Sequence, residues 1–141
     1  MIFHPDVKLW LALAFESHTH HSAAKGWFDG LTDDACLFCR MTQQGFLRLA
    51  TNAKAFGDEA VTLAEAWGIY DAFMADQRIS FGLEPSGIEP FWRAYTFRRT
   101  FSPKVWNDGY LAAFARAAGH RLVTFDQGFS QFAGLDCAIL S

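Results

Sequence analysis

Apolar residues along this chain fall into two rhythms. Short apolar runs bounded by polar or turn-forming residues predict strands: "MIFHPD" ending at Asp6, "ACLFC", "RISF", "RLVTFD" ending at Asp126, and "CAIL". Between them lie longer stretches with helical spacing. "VKLWLALAFES" is apolar on most sides and predicts a buried helix, which "HTHH" breaks. "SAAKGWFDGL" follows as a helix, with Ser22 as candidate N-cap and Ala23, Trp27 and Leu31 in step. "TQQGFLRLA" places Phe46, Leu47 and Ala50 on one side. Thr62 to Asp76 has the clearest periodicity, with Leu63, Trp67, Tyr70 and Met74 in one stripe. "SGIEPFWRAYTF" sets Ile88, Phe91, Trp92 and Tyr95 in step, and "WNDGYLAAFARAAGH" closes on Gly119, a good C-terminal stop.

Short apolar strands alternating with helices predict an α/β fold, a mainly parallel sheet covered on both faces. Such sheets bind ligands at the carboxyl ends of their strands. Two predicted strands stop there on a carboxylate, Asp6 and Asp126. A third acid, Asp108, falls in the first turn of its predicted helix and shares a face with Leu111, Ala112 and Ala115. That face packs inward, so Asp108 is expected to point at the same rim. Each acid also has a purely structural reading. Asp6 after Pro5 suits an N-cap, Asp108 suits the positive end of a helix, and Asp126 suits a turn with Gly128. Taken together, two strand-end acids and one on an inward helix face favour a shared acidic site. Crowded carboxylates need a counter-charge, and a hard dication such as Mg²⁺ or Mn²⁺ prefers oxygen ligands.

Composition narrows the picture. The 141 residues suit a single domain, and a chain that is 51% hydrophobic with 15 Phe and 5 Trp can bury a sizeable core. The net charge of −3 supplies no overall basic field for nucleic acid, so such a substrate would need a local basic patch or a metal. The apolar N-terminus is interrupted by His4, Pro5, Asp6 and Lys8 and lacks the marks of a signal peptide, and no apolar run can span a bilayer. A cytoplasmic protein is expected. The cysteines number three, an odd count that argues against a disulfide framework. Cys36 and Cys39 have C-x-x-C spacing but sit in a predicted strand, so buried small hydrophobes is the expected role. His18, His20 and His21 read as a polar connection with no companion carboxylate in sequence. His4 alternates with Asp6 and is expected to point the same way, beside it. There is no Ser-His-Asp arrangement, no phosphate-cradling glycine loop and no G-x-G-x-x-G.

"PDVKLWLALAFESHTHHSAAKGWF", "CRMTQQGFLRLATN" and "SPKVWNDGYLAAFARAAGHRLVTFDQGF" resemble PIN-domain ribonucleases, most of all the VapC toxins of VapBC toxin–antitoxin pairs. The resemblance implies one PIN-like domain over residues 1–141, built as a three-layer α/β/α sandwich. It implies an endoribonuclease dependent on Mg²⁺ or Mn²⁺, the toxin of a type II pair, acting on RNA, forming a homodimer and blocked by a VapB-type antitoxin. Carried over by residue, the family's metal-binding acids fall on Asp6, Asp108 and Asp126, and its hydroxyl residue on Thr124. Candidate substrate contacts are Lys8, Gln43, Thr124 and Arg98, with Arg40, Arg99 and Lys104 as further candidate phosphate contacts, although these scattered cations suit an ordinary solvated surface equally well. Trp10, Trp27, Trp92 and Phe101 would supply either partner contacts or core.

The chain departs from the pattern at three positions. Lys8 stands where the family often has Asn, Gly45 where it usually has a glutamate, with Gln43 and Gln44 as nearest polar groups, and Gly128 where many members have another acid. Weak metal affinity is therefore expected. The alternative is a catalytically weak or inactive PIN-fold protein that pairs with an antitoxin or RNA without cutting. A receiver-like α/β domain fits worse, because Asp126 lies too late in the chain.

Overall fold

The computed structural model describes all of residues 1–141. Five parallel strands form one sheet, β1 (Ile2–Pro5), β2 (Ala35–Phe38), β3 (Ile79–Phe81), β4 (Arg121–Thr124) and β5 (Cys137–Ile139), in the order β3-β2-β1-β4-β5. The chain builds outward from β1 to β3, then returns to the other side of β1 for β4 and β5. The strand order therefore reverses between β1 and β4, whose register pairs His4 with Leu122 and Pro5 with Val123. Open α/β sheets place their ligands at this reversal.

Seven helices cover the sheet: α1 (Val7–Ala14), α2 (His21–Asp29), α3 (Arg40–Ala50), α4 (Ala53–Phe56), α5 (Leu63–Met74), α6 (Ile88–Thr96) and α7 (Lys104–Ala118). Side-chain alternation along the strands divides the core between the two faces. Phe3, Cys36, Phe38 and Val123 face α1, α2, α3 and α5, where Trp10 stacks on Phe38 with ring centroids 3.8 Å apart. Leu122 faces α6 and α7 with Tyr95, Leu111, Ala112, Phe114, Ala115, Phe129 and Phe132. The result is the three-layer α/β/α sandwich expected.

The predicted strands and longer helices all form, with four differences. Helix α2 begins at His21 with His20 in the cap position, so Ser22 lies inside the helix rather than capping it. Helix α7 begins at Lys104, which puts Asp108 in its second turn, not its first. The stripe of α5 is displaced: Ala66 and Tyr70 are buried, Tyr70 against Phe38, while Leu63 and Trp67 face outward. This helix carries two apolar stripes, and the one beside Phe38 and Phe46 is the one the sheet buries. Finally, α4 and a 3-10 turn (Gly57–Glu59) occupy a segment with no periodic signal. Cys36 lies in β2 and Cys39 caps α3, both buried and unpaired, as expected of small core residues. Trp10 is core, Trp27 and Trp92 are half-buried, and Phe101 is fully exposed.

Candidate acidic site

Asp6 is the first residue beyond β1, and its backbone N–H still donates to the Val123 carbonyl. Its carboxylate is fixed at both oxygens. Oδ1 accepts from the Leu9 backbone N–H at 2.9 Å and so caps α1, and Oδ2 accepts from the Thr124 hydroxyl at 2.5 Å. Thr124, fully buried at the end of β4, accepts in turn from the Asp126 backbone N–H at 2.9 Å. One hydroxyl thus links the acids that end two neighbouring strands. Burial pushes the Asp6 carboxyl up to about 6, against the pull of the Thr124 hydroxyl and the Leu9 N–H.

Asp126 turns the chain into a 3-10 segment (Gln127–Gln131), with Oδ1 accepting from the Gly128 N–H at 2.8 Å. Its Oδ2 accepts from Lys104 Nζ at 2.7 Å, and this contact, with the Gly128 N–H, holds its carboxyl below the usual range. The same ammonium lies 3.3 Å from Asp108 Oδ2. Asp108 is half-buried, and that burial raises its carboxyl although Lys104 opposes the shift. The structural roles read for Asp6 and Asp126 are therefore both real, and they coexist with convergence. Asp6, Asp108 and Asp126 line one cavity of about 430 Å³ together with Lys8, Lys104 and Gln44.

The donor set is all carboxylate oxygen, which suits a hard dication and no soft metal. As the side chains stand, no three His, Cys, Asp or Glu groups are drawn close enough to hold an ion. The Lys104 ammonium already serves as the counter-charge of Asp108 and Asp126. Lys104 is 62% exposed, so it is free to swing outward. The donor chemistry fits a divalent metal, and holding one there requires both that movement and a closer approach of the acids around the cavity.

Other expected site residues divide. Lys8 lines the cavity, and its charge acts on all three acids. Gln43 does not reach it: this buried amide accepts from Arg40 and bonds the Tyr70 hydroxyl, and Gln44 takes the cavity face one position further round the helix. Arg98 also lies elsewhere, bonded to Gln131 and lining a separate cleft with Arg99. Arg40 sits over the Phe81 ring. His4 makes no hydrogen bond to Asp6, which leaves the strand direction to cap α1. Instead His4 is wholly buried against Phe114, with neither ring nitrogen bonded, and burial beside His120 depresses its pKa to about 3. Gly45 packs so closely on α1 that a Cβ there would stand 2.6 Å from a Val7 methyl. The histidine connection is nearer the acids than its sequence neighbours suggest: His18 and His20 share a cleft with Lys8, Lys104 and Asp126, and His20 stacks on Phe125 at 4.2 Å. Sequence reading missed Arg48, which also lines the acid cavity. Its position one helical turn after Gln44 was the available signal.

A parallel α/β/α sandwich that gathers acids from two strand ends and one helix at its strand-order reversal defines a class of acid-site α/β proteins. The PIN domain family model matches residues 5–135, and the chain belongs to the PIN-domain family. It is 45% identical to Ribonuclease VapC41 of Mycobacterium tuberculosis, across 96% of this chain and 97% of that protein. It is 31% identical to Ribonuclease VapC38 of the same organism, across 87% and 84%. Among solved structures, its fold is similar to VapBC2 from Rickettsia felis bound to a promoter DNA fragment, at a TM-score of 0.72 and 12% identity over 100% of both chains. It is also similar to Mycobacterium tuberculosis VapC20, described as a Sarcin-Ricin loop cleaving toxin, at a TM-score of 0.67 and 20% identity over 96% of each chain. Dependence on a divalent metal is general among PIN-domain ribonucleases. No helix here is long and apolar enough to cross a membrane.

Proposed function

We propose that this chain, as one PIN domain over its 141 residues, is a metal-dependent endoribonuclease and the toxin of a type II toxin–antitoxin pair. It works in the cytoplasm as a homodimer and is held in check by a VapB-type antitoxin. The observation that carries this reading is the convergence of Asp6, Asp108 and Asp126 on one cavity. These three hold Mg²⁺ or Mn²⁺. A bound ion would neutralise charge on a phosphodiester and acidify a water for attack on phosphorus.

The chain's own groups do the rest. The Thr124 hydroxyl and the Leu9 N–H fix Asp6, so its carboxylate meets the ion in one orientation. Lys104, once released from its two carboxylates, and Lys8 present ammonium groups to phosphate oxygens at the cavity mouth. Gln44 offers an amide for a ribose or base. Asp108→Asn is expected to abolish RNA cleavage while leaving the far-ultraviolet circular dichroism of the wild type. Undiminished cleavage overturns the assignment.

Two observations favour a second reading, a PIN-fold protein that binds without cutting. Position 45 is packed too tightly against Val7 for the usual glutamate, and Lys104 occupies two of the three acids. Mn²⁺ titration calorimetry beside an RNA cleavage assay separates the readings: metal binding with no cleavage supports the second.

A further inference from the structure

The segment between α6 and α7 leaves apolar surface that the fold does not use. Phe97 is 82% exposed, Phe101 103% and Trp106 58%, an unusual concentration for so short a stretch. Together with Arg98 and Arg99 they line a cleft of about 520 Å³. One of these rings is anchored. Trp106 lies in α7, its carbonyl accepts from the Trp92 indole at 3.0 Å, and the two indoles meet edge to face at 6.1 Å. Arg98 bonds Gln131 and leans over the Phe132 ring, tying the segment to the turn that follows Asp126. A ring held in place while exposed loses little entropy when something stacks on it.

Charge selects the occupant. Between Glu89 and Asp108 the sequence contains Arg93, Arg98, Arg99 and Lys104 and no acid, in a chain whose net charge is −3. Arg99 has no ion-pair partner within the protein. Aromatic faces beside the unpaired Arg99 guanidinium match unstacked bases on a phosphate backbone. The cleft also adjoins the acidic cavity through the first turns of α7: Val105 and Trp106 line one, and Lys104, Asn107 and Asp108 line the other.

We propose that the 96–106 segment is a single-stranded RNA subsite, in which Phe97, Phe101 and Trp106 stack bases and Arg99 meets phosphate, holding the strand that runs into the acidic cavity. This rests on the ribonuclease reading of that cavity and adds where substrate is gripped.

The test uses Phe101→Ser and Arg99→Ser, both at exposed positions, with Asp126→Asn as the control for the acids. Anisotropy of a fluorescein-labelled single-stranded RNA is measured in EDTA, and steady-state cleavage in Mn²⁺. Phe101→Ser is expected to weaken RNA binding about tenfold and to raise KM by a like factor with kcat kept. Arg99→Ser is expected to lower the slope of log affinity against log salt by roughly 0.7. Asp126→Asn is expected to stop cleavage while RNA is still bound. If the wild type binds and cuts RNA and Phe101→Ser and Arg99→Ser do so equally well, the subsite is overturned and the nuclease reading stands. If Phe101→Ser instead changes the molecular mass in light scattering with RNA affinity intact, the surface is a protein interface and the subsite is again overturned. If the wild type neither binds nor cuts RNA, the nuclease reading falls first.

Discussion

Lys104 Nζ lies 2.7 Å from Asp126 Oδ2, and the same ammonium reaches Asp108 Oδ2 at 3.3 Å. A cation on a long, exposed arm therefore stands between two acids that a divalent metal would need. Metal binding must displace it. Exposed ion pairs contribute little each, so their combined effect is about 1 kcal/mol, roughly fivefold in affinity. Lys104→Met is expected to bind Mn²⁺ about fivefold more tightly than the wild type in titration calorimetry, whatever it does to cleavage. Equal affinities would show that Lys104 does not compete for the site.

Asp6 yields a pH dependence with a definite sign. Burial raises its folded pKa from 3.8 to about 6, so the folded, metal-free protein holds the proton more tightly than the unfolded chain does. Its stabilising contribution is complete below the unfolded value and is lost as pH rises through about 6. The difference amounts to about 3 kcal/mol. His4 works the other way: with a folded pKa depressed to about 3, its contribution is present above 6.5 and is lost as pH falls. Comparing Asp6→Asn with the wild type cancels the His4 effect. In EDTA the variant is expected to melt higher than the wild type near pH ~7.5 and at about the same temperature near pH ~4. Added Mn²⁺ should raise the wild-type melting temperature and leave the variant's nearly unchanged.

Thr124 is the joint between the two strand-end acids. Thr124→Val keeps the shape and removes the hydroxyl, leaving Asp6 Oδ2 and the Asp126 N–H without their partner. A loss of about 1–3 kcal/mol in urea unfolding is expected, with Thr124→Ser restoring most of it. Unchanged stability in Thr124→Val would mean that water replaces the hydroxyl without penalty.

Strand ends were legible in the sequence because an apolar run stopping on an acid marks both the strand and its carboxyl edge, as at Asp6 and Asp126. The alternation of strands and helices carried the parallel, two-faced sheet, and the three acids were identifiable before any geometry. Finer placements depended on tertiary packing. One step along a helix swings a side chain by about 100°, which separates cavity-lining Gln44 from buried Gln43. Helix α5 offers two apolar stripes, and only the rings of Phe38 and Phe46 decide between them. Arg98 is near Asp108 in sequence, yet the chain between α6 and α7 carries it to another cleft. The Lys104 bridge requires α7 to lie beside the end of β4, which local sequence does not state.

By the resemblance, Gly45 stands where the family usually has a glutamate, and here α3 meets α1 so closely that a Cβ would stand 2.6 Å from a Val7 methyl. Such an approach forces a side chain or a helix to shift, at about 1–3 kcal/mol. Gly45→Ala is therefore expected to destabilise the protein by that amount in urea unfolding. Val7→Ala in the same chain should recover part of the loss, because it removes the methyl that the new Cβ meets. Val7 is only half-buried, so its own truncation should be the milder change. Strict additivity of the two single losses would mean that the Val7 contact is not what excludes a side chain at position 45. If the double variant does recover, Val7→Ala is the background in which to place Glu at position 45. There, tighter Mn²⁺ binding than in Val7→Ala alone would identify close helix packing, rather than the acids themselves, as what leaves this site one carboxylate short.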